Sequence, residues 1–348
     1  LLYSSSLFCW FVHPESLLER GAVVRKRLLL FIALGWVLLF IGDRVDELRV
    51  YQGASIAVYT IAIGSIILLT GYSGQISLGH GALMAFGGYV AALCVANASL
   101  PLWFAFVMAA LLTGIFGGVL GFAAARLSGP YLAGTTLALA VGLPSLANQF
   151  SILGGEQGIY LDPGLPPARL GEDFSQYKWF FWITTLAALI TMFWLSNILR
   201  SKYGRTWRAL RGNEVAAQLC GVHTGRQKVL AFALSSGLAG LAGALLVLTI
   251  STVSPSAFPL SLSFALVTGA VVSGIYDLKG VMLGAVILVI IPEIADSVAS
   301  RFGDSLKIIS TLPGLLVSAL LILAVLFTPN GPGEKLHHLR HKRKAHSG

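Results

Sequence analysis

The feature that most constrains the fold is a run of 76 residues, positions 50–125, without Asp, Glu, Lys or Arg. At about 20 residues per transmembrane helix, this run alone has room for three spans. The whole chain is 56% hydrophobic and only 11% charged, whereas a soluble domain carries about 25% charged residues. The sequence therefore excludes a water-soluble globule and predicts a protein that crosses the membrane several times. Further charge-free runs cover residues 127–155, 179–199, 229–276 and 308–333.

The charge-free runs are apolar on all sides, which favours α-helices over the alternating pattern of an outer-membrane barrel. We predict an all-α, polytopic helical membrane protein with about 8–10 transmembrane helices and a broken helix near residues 71–81. The hydrophobic segments lie near residues 28–42, 52–70, 82–99, 102–125, 131–150, 178–199, 229–252, 262–276, 280–298 and 311–328.

The charged residues indicate the orientation of these helices. Residues 200–228 contain seven Lys or Arg and one acid, Glu214, so the positive-inside rule predicts that this loop is cytoplasmic. Counting spans from the loop predicts a cytoplasmic N-terminal segment (1–27), a transmembrane domain (28–330) and a basic cytoplasmic tail (331–348). The same count places the acidic 151–177 loop outside.

The net charge of +9 resides in loops and is a signal of topology, so no nucleic acid is expected as a partner. Cys9, Cys94 and Cys220 have no metal-binding spacing, and no metal site is predicted. The four His of the tail alternate with Lys and Arg that repel a cation, which favours contact with anionic lipid. No G-x-x-x-x-G-K-[ST] motif occurs. The chain is therefore predicted not to be an enzyme and to have no ATPase site of its own.

The 200–228 loop contains the start and stop signals of two short helices. Residues 205–211 are followed by Gly212, and Asn213 is placed to cap a second helix that ends at Gly221. The pairs Trp207/Leu210 and Val215/Leu219 predict an apolar stripe on each helix. Such a stripe fits a groove in another protein or the headgroup region of the membrane.

The second unusual segment lies between two apolar runs, at residues 70–89. Its repeated glycines make a continuous helix costly, and it carries the polar residues Ser73, Gln75, Ser77 and His80. One interpretation is a broken helix with polar groups beside a translocation path. The other is a cytoplasmic turn whose small residues allow close helix packing.

Both segments resemble those of one family. E-V-A-A-Q-L-C-G at 214–221 resembles the cytoplasmic E-A-A loop of ABC importer permeases, in the variant of the LivM-like branch of the branched-chain amino-acid permeases. S-G-Q-I-S-L-G-H at 73–80 resembles the G-x-x-S-L-G-H stretch of the same family. Further resemblances lie at residues 125–140, 154–159, 254–258 and 326–331.

This resemblance implies a permease subunit of an ABC importer in the bacterial inner membrane, which carries branched-chain amino acids or similar small solutes. The implied partners are a second, LivH-like permease, two ABC ATPases that bind ATP and Mg, an extracytoplasmic substrate-binding protein and membrane lipid. No cofactor is expected in this chain. The implied ATPase-coupling residues are Trp207, Arg208, Arg211, Glu214, Ala216, Ala217 and Gly221. The candidate residues of the translocation path are Ser73, Gln75, Ser77, Gly79 and His80.

Alternative functions remain open at this point. A permease for urea, short amides or sugars belongs to the same importer class, and an ion-coupled secondary transporter would use intramembrane acids, for which Glu293 and Asp296 are the candidates. Residues 271–284 read V-V-S-G-I-Y-D-L-K-G-V-M-L-G, where the family usually has V-x-G-G-x-G-S-x-x-G-x-x-x-G. Ser273, Asp277 and Lys279 depart from that pattern, which leaves the substrate and the packing near this turn open.

Overall fold

The computed structural model describes residues 15–126, 130–164, 166–167 and 174–299, together with positions 315 and 319. This part of the chain is almost entirely helical, as predicted, and its strands are two residues each: β1 (Ile159–Tyr160) and β2 (Thr252–Val253). The helices are α1 (Glu15–Arg44), α2 (Glu47–Ile66), α3 (His80–Ala96), α4 (Leu102–Ala124), α5 (Pro130–Gln149), α6 (Gln176–Arg200), α7 (Lys202–Gly212), α8 (Glu214–Leu219), α9 (Thr224–Ile250), α10 (Leu260–Ser273) and α11 (Val281–Ala299).

Within the described residues, five helical segments are long and apolar enough to cross a membrane: Glu47–Tyr72, Leu102–Ala124, Gln176–Arg200, Thr224–Ile250 and Pro255–Ser273. The polytopic helical fold is thus confirmed. The first helix differs from its prediction, because residues 15–27, which precede the predicted helix, are already helical in α1 (Glu15–Arg44). The predicted helix at 311–328, apart from two positions, and the tail at 331–348 with its four His lie outside the described residues.

Helix α9 lies at the centre of the bundle, where it packs against α2, α3 and α4. Small residues allow the close approach: a methyl group on Gly243 would collide with the backbone of Met84, and one on Gly87 would collide with Gly240. Apolar burial cannot drive helices together inside lipid, so close contact between small residues is a major source of association. The α3–α9 contact therefore fixes the position at which α3 begins.

The end of the bundle opposite α7 and α8 is closed by a small sheet. Strand β1, from the 151–164 loop, pairs antiparallel with β2, from the connection between α9 and α10. The Leu161 amide also donates to the carbonyl of Ser251 at 2.9 Å. This pairing joins the two motifs at residues 154–159 and 254–258.

The turn between α10 and α11, which departs from the family pattern, is still closely packed. Ser273 is buried, and its hydroxyl donates to the carbonyl of Gly269 at 2.6 Å. Gly284 of α11 lies directly against both residues. Asp277 and Lys279 form a 3.4 Å pair whose Lys side chain is 77% exposed, so this pair contributes little stability.

The glycine contacts of α9 lead to a prediction about stability. Gly243→Ala should destabilise the detergent-solubilised chain by about 1–3 kcal/mol, because the added methyl group has to displace backbone. Gly142→Ala is the matched control, since nothing lies within 4 Å of a methyl group there. The midpoint of thermal unfolding measures both variants. Equal midpoints would contradict the close packing of α3 on α9.

Candidate functional site

The predicted broken helix is present between α2 and α3. Helix α2 widens into a π-helical segment, Ile67–Tyr72, and the chain then leaves helical geometry until α3 begins at His80. The Gln75 amide donates to the carbonyl of Leu69 at 3.1 Å. Gly74 has a φ of +75°, a left-handed conformation that glycine adopts without steric cost. The chain therefore reverses direction here within a few residues.

Residues 73–80, which we call the re-entry segment, run along α9 into the bundle. At one end, Gln75 Nε2 donates to the carbonyl of Lys228 at 3.2 Å. At the other end, His80 Nε2 lies 3.0 Å from the hydroxyl of Ser235. Lys228 and Ser235 are seven residues apart on α9, which corresponds to about 10 Å of helix. Helix α3 thus begins about two turns inside the bundle.

His80 is held by a hydrogen-bond chain that determines its donor atom. The Ser235 hydroxyl donates its one proton to the carbonyl of Ser65 at 2.7 Å, so it accepts from His80 Nε2–H. In a neutral imidazole, Nδ1 then accepts from the Ser77 hydroxyl, 3.1 Å away. This series of hydrogen bonds links the re-entry segment to both α9 and α2.

Three more contacts fix the re-entry segment from other helices. The amide of Leu78 donates to Thr136 Oγ1 of α5 at 2.9 Å, and the amide of Gly81 donates to Ser263 Oγ of α10 at 3.0 Å. A methyl group on Gly79 would lie 2.5 Å from the carbonyl oxygen of Thr136. Helices α5, α9 and α10 thus each supply a hydroxyl or carbonyl partner to the segment or to the first turn of α3.

The polar residues of this segment are buried. Relative exposure is 5% for Ser73, 4% for Gln75 and 1% for both Ser77 and His80. These four side chains therefore lie in the packed interior of the chain. The translocation path and the closely packed turn both stay predictions.

Helix α7 is anchored to the membrane helices by its apolar side. Ser201 caps it by accepting from the Tyr203 amide at 3.2 Å, so it begins at Lys202, earlier than the predicted 205. Trp207 is fully buried, and its Nε1 donates to the carbonyl of Gln227 at 3.1 Å. Leu210 is buried as well, which confirms the apolar stripe of this helix.

Helix α8 has the predicted caps but presents its apolar residues differently. Asn213 Oδ1 accepts from the Ala216 amide at 3.0 Å, and Gly221 has a φ of +83°. Ala217 is buried, whereas Val215 and Leu219 are 65% and 85% exposed. The predicted Val215/Leu219 stripe therefore faces away from the rest of the chain.

The loop and the re-entry segment are connected by ionic and polar contacts. Glu214 pairs with Lys228 at 2.7 Å, and the Lys228 carbonyl accepts from Gln75. Arg211 Nη1 donates to the Gly71 carbonyl at 2.5 Å, and its guanidinium lies 3.8 Å from the centroid of the Tyr276 ring. The guanidinium of Arg208 is 5.7 Å from the Tyr72 ring. Of the predicted coupling residues, Ala216 is exposed, and its backbone makes only local contacts, with Asn213 and Cys220.

Sequence reasoning missed several of these partners, namely Ser65, Thr136, Ser235, Ser263 and Tyr276. Hydroxyls in membrane helices commonly bond their own backbone, so a single Ser or Thr is a weak signal. The adjacent Ser235 and Ser236 inside an apolar helix were the stronger signal.

Comparison with known proteins identifies the family. The family model described as "Branched-chain amino acid transport system / permease component" matches residues 52–326. The chain belongs to this family. It is 28% identical to the high-affinity branched-chain amino acid transport system permease protein LivM of Salmonella typhimurium, over 89% of this chain and 76% of that protein.

Two further proteins are similar to this chain, one at lower identity and one over a shorter part of the chain. The ribose import permease protein RbsC of Haemophilus influenzae is 25% identical over 80% of this chain and 83% of its own. LivH of Salmonella typhimurium is 29% identical over 55% of this chain and 54% of its own. No solved structure matches the chain significantly.

Proposed function

We propose that this chain is the LivM-like membrane subunit of an ABC importer and carries branched-chain amino acids or similar small solutes. The observation that supports the proposal lies in the 200–228 loop. In this loop, α8 exposes an apolar face, and α7 contacts the broken helix through Arg211. Likeness to LivM over most of the chain supports the cargo. In this proposal, two partner ATPases bind ATP and Mg, and the chain itself performs no bond chemistry.

The proposed orientation places α7 and α8 in the cytoplasm of a bacterial cell and both termini on the same side. The basic residues of the 200–228 loop support it through the positive-inside rule. The binding protein would then dock at the opposite end, beside β1 and β2. A second, LivH-like permease would complete the membrane part, in agreement with the likeness of this chain to both LivM and LivH.

The proposed ATPase contact is the exposed face of α8. Val215 and Leu219 lie one turn apart and form an exposed apolar patch, whereas Ala217 on the other side of α8 is buried. A short helix fixed from behind and apolar in front fits a groove in a partner protein. In this proposal, the conformational changes of the partner ATPases act on the membrane helices through α8.

A double variant tests the ATPase contact. Val215→Asp combined with Leu219→Asp should reduce co-purification of the ATPases about tenfold or more, because two charges would have to be buried in the interface. Tyr160→Ser, which changes an exposed aromatic residue at the opposite end, is the control and should bind the ATPases normally. Normal co-purification by the double variant would refute the contact and would favour the membrane surface as the partner of this face.

The proposed translocation path borders the re-entry segment. Its polar side chains are buried in the isolated chain, so the path opens when the segment moves relative to α5, α9 and α10. Such a movement would expose the hydroxyls of Ser73 and Ser77 and the imidazole of His80 to the solute. Broken helices with freed polar groups are a common way to build solute sites in transporters.

Two substitutions test the path. Gly79→Leu should displace the segment from α5, because even a methyl group there would lie 2.5 Å from the carbonyl oxygen of Thr136. His80→Ala should remove the polar link to Ser235. Each variant should reduce uptake about tenfold in the reconstituted importer. Packing alone predicts a much smaller effect for His80→Ala, because one interhelical hydrogen bond in a membrane averages about 0.6 kcal/mol. Ser145→Ala, on the exposed face of α5, is the control. Normal uptake by both variants would remove the segment from the path.

Cysteine labelling tests the orientation. A single cysteine at Ser151, in a chain lacking Cys9, Cys94 and Cys220, should react with an impermeant reagent added to intact cells expressing the permease subunits alone. The native Cys220, which is exposed beside α8, should react only after the cells are opened when it is the single cysteine. The reverse pattern would invert the proposed topology.

The ribose permease likeness supports a second cargo class, the sugars. Both classes can be separated by binding assays on the substrate-binding protein that stimulates this importer. Binding of Leu, Ile or Val supports the first proposal, and binding of a pentose supports the second.

A further inference from the structure

Three backbone segments meet beside the guanidinium of Arg211. The first is the end of the π-helical segment, where the Gly71 carbonyl accepts from Arg211 Nη1. The second is the turn between α10 and α11: a methyl group on Gly71 would collide with the carbonyl oxygen of Ile275, and the next residue, Tyr276, stacks against the guanidinium at 3.8 Å. The third is the C-terminal turn of α7 itself.

Glycine makes room for this side chain. A methyl group on Gly74 would lie 2.9 Å from Arg211 Cγ, so a larger residue there would push the Arg stem away. The Gly71 carbonyl lies at the widened end of α2, where a helix leaves carbonyls without an internal partner. A planar, permanently charged guanidinium can bond this carbonyl at its edge and stack on a ring with its face.

We propose that Arg211 is a positioning residue that clamps α7 to both turns, with Tyr276 as its platform, and thereby passes the movement of α8 to the re-entry segment and to α11. This inference rests on the proposed function.

The residues of α7 differ in the parts of the chain that they contact. Trp207 and Leu210 fix α7 to the ends of α6 and α9 through burial, so they hold the helix in place. Arg211 is the side chain of α7 that also reaches the end of α2 and the turn after α10 in the described contacts. Its loss should leave α7 folded while weakening the transfer of its movement.

The test compares two apolar residues at position 276 in the complete importer, with ATPases, second permease and binding protein. Tyr276→Phe keeps the ring and should retain solute uptake per ATP hydrolysed. Tyr276→Leu keeps a bulky side chain at a position that is 44% exposed but removes the ring, and should lower uptake per ATP about fivefold. Arg211→Gln should lower uptake per ATP by a similar factor. In the double variant Arg211→Gln/Tyr276→Leu, uptake per ATP should be no lower than in either single variant.

Lys279→Gln, in the same turn, is the control. Its uptake per ATP should equal that of the unchanged chain.

The outcomes separate the clamp from the proposed function. Co-purification of the ATPases is measured for every variant, so the ratio of uptake to ATP hydrolysis refers to assembled complexes. Equal ratios for Tyr276→Phe and Tyr276→Leu, or additive losses in the double variant, would overturn the clamp. Failure of the unchanged complex to import any solute would instead overturn the proposed function.

Discussion

The structure depends on one constraint: backbone amides and carbonyls inside a membrane must find partners within the protein. Where α2 breaks, several such groups lose their helical partners. The Leu78 and Gly81 amides instead donate to the hydroxyls of Thr136 and Ser263, and the Gly71 carbonyl accepts from Arg211. The helix break is therefore supported by side chains from three neighbouring helices, α5, α7 and α10.

These hydrogen bonds between side chains and backbone groups also connect helices that are distant in sequence. The partners of the re-entry segment belong to α5, α9 and α10, and Ser235 passes the contact on to the Ser65 carbonyl of α2. Any displacement of the segment must exchange several hydrogen bonds together. Such a network has few intermediate arrangements, which suits a transporter that alternates between states.

Much of the fold could be predicted from the sequence, because spans of about 20 apolar residues are set by the thickness of the membrane. The helix break at 71–81 followed from its glycines, and the caps of α8 followed from Asn213 and Gly221. The outward direction of Val215 and Leu219 did not follow, since periodicity shows that two residues share a face but not which face is covered. The helical conformation of residues 15–27 was missed because these residues include charges and lie outside the apolar run.

The sequence pointed to the polar residues of the re-entry segment but not to their partners. Ser73, Gln75, Ser77 and His80 stand out by their position between two apolar runs, and their role in a translocation path stays a prediction. The contact of Arg211 with Tyr276 joins residues 65 positions apart, and the sequence contains no periodic signal for such a pair.

In the proposed mechanism, movement of α7 and α8 reaches the re-entry segment. This coupling can be measured by hydrogen–deuterium exchange of the backbone amides of residues 71–81 in the assembled importer, with and without a non-hydrolysable ATP analogue. Nucleotide binding should change exchange in this segment, while the α3–α9 contact around Gly87 and Gly243 stays protected. Unchanged exchange at residues 71–81, together with changed exchange at α8, would refute the coupling.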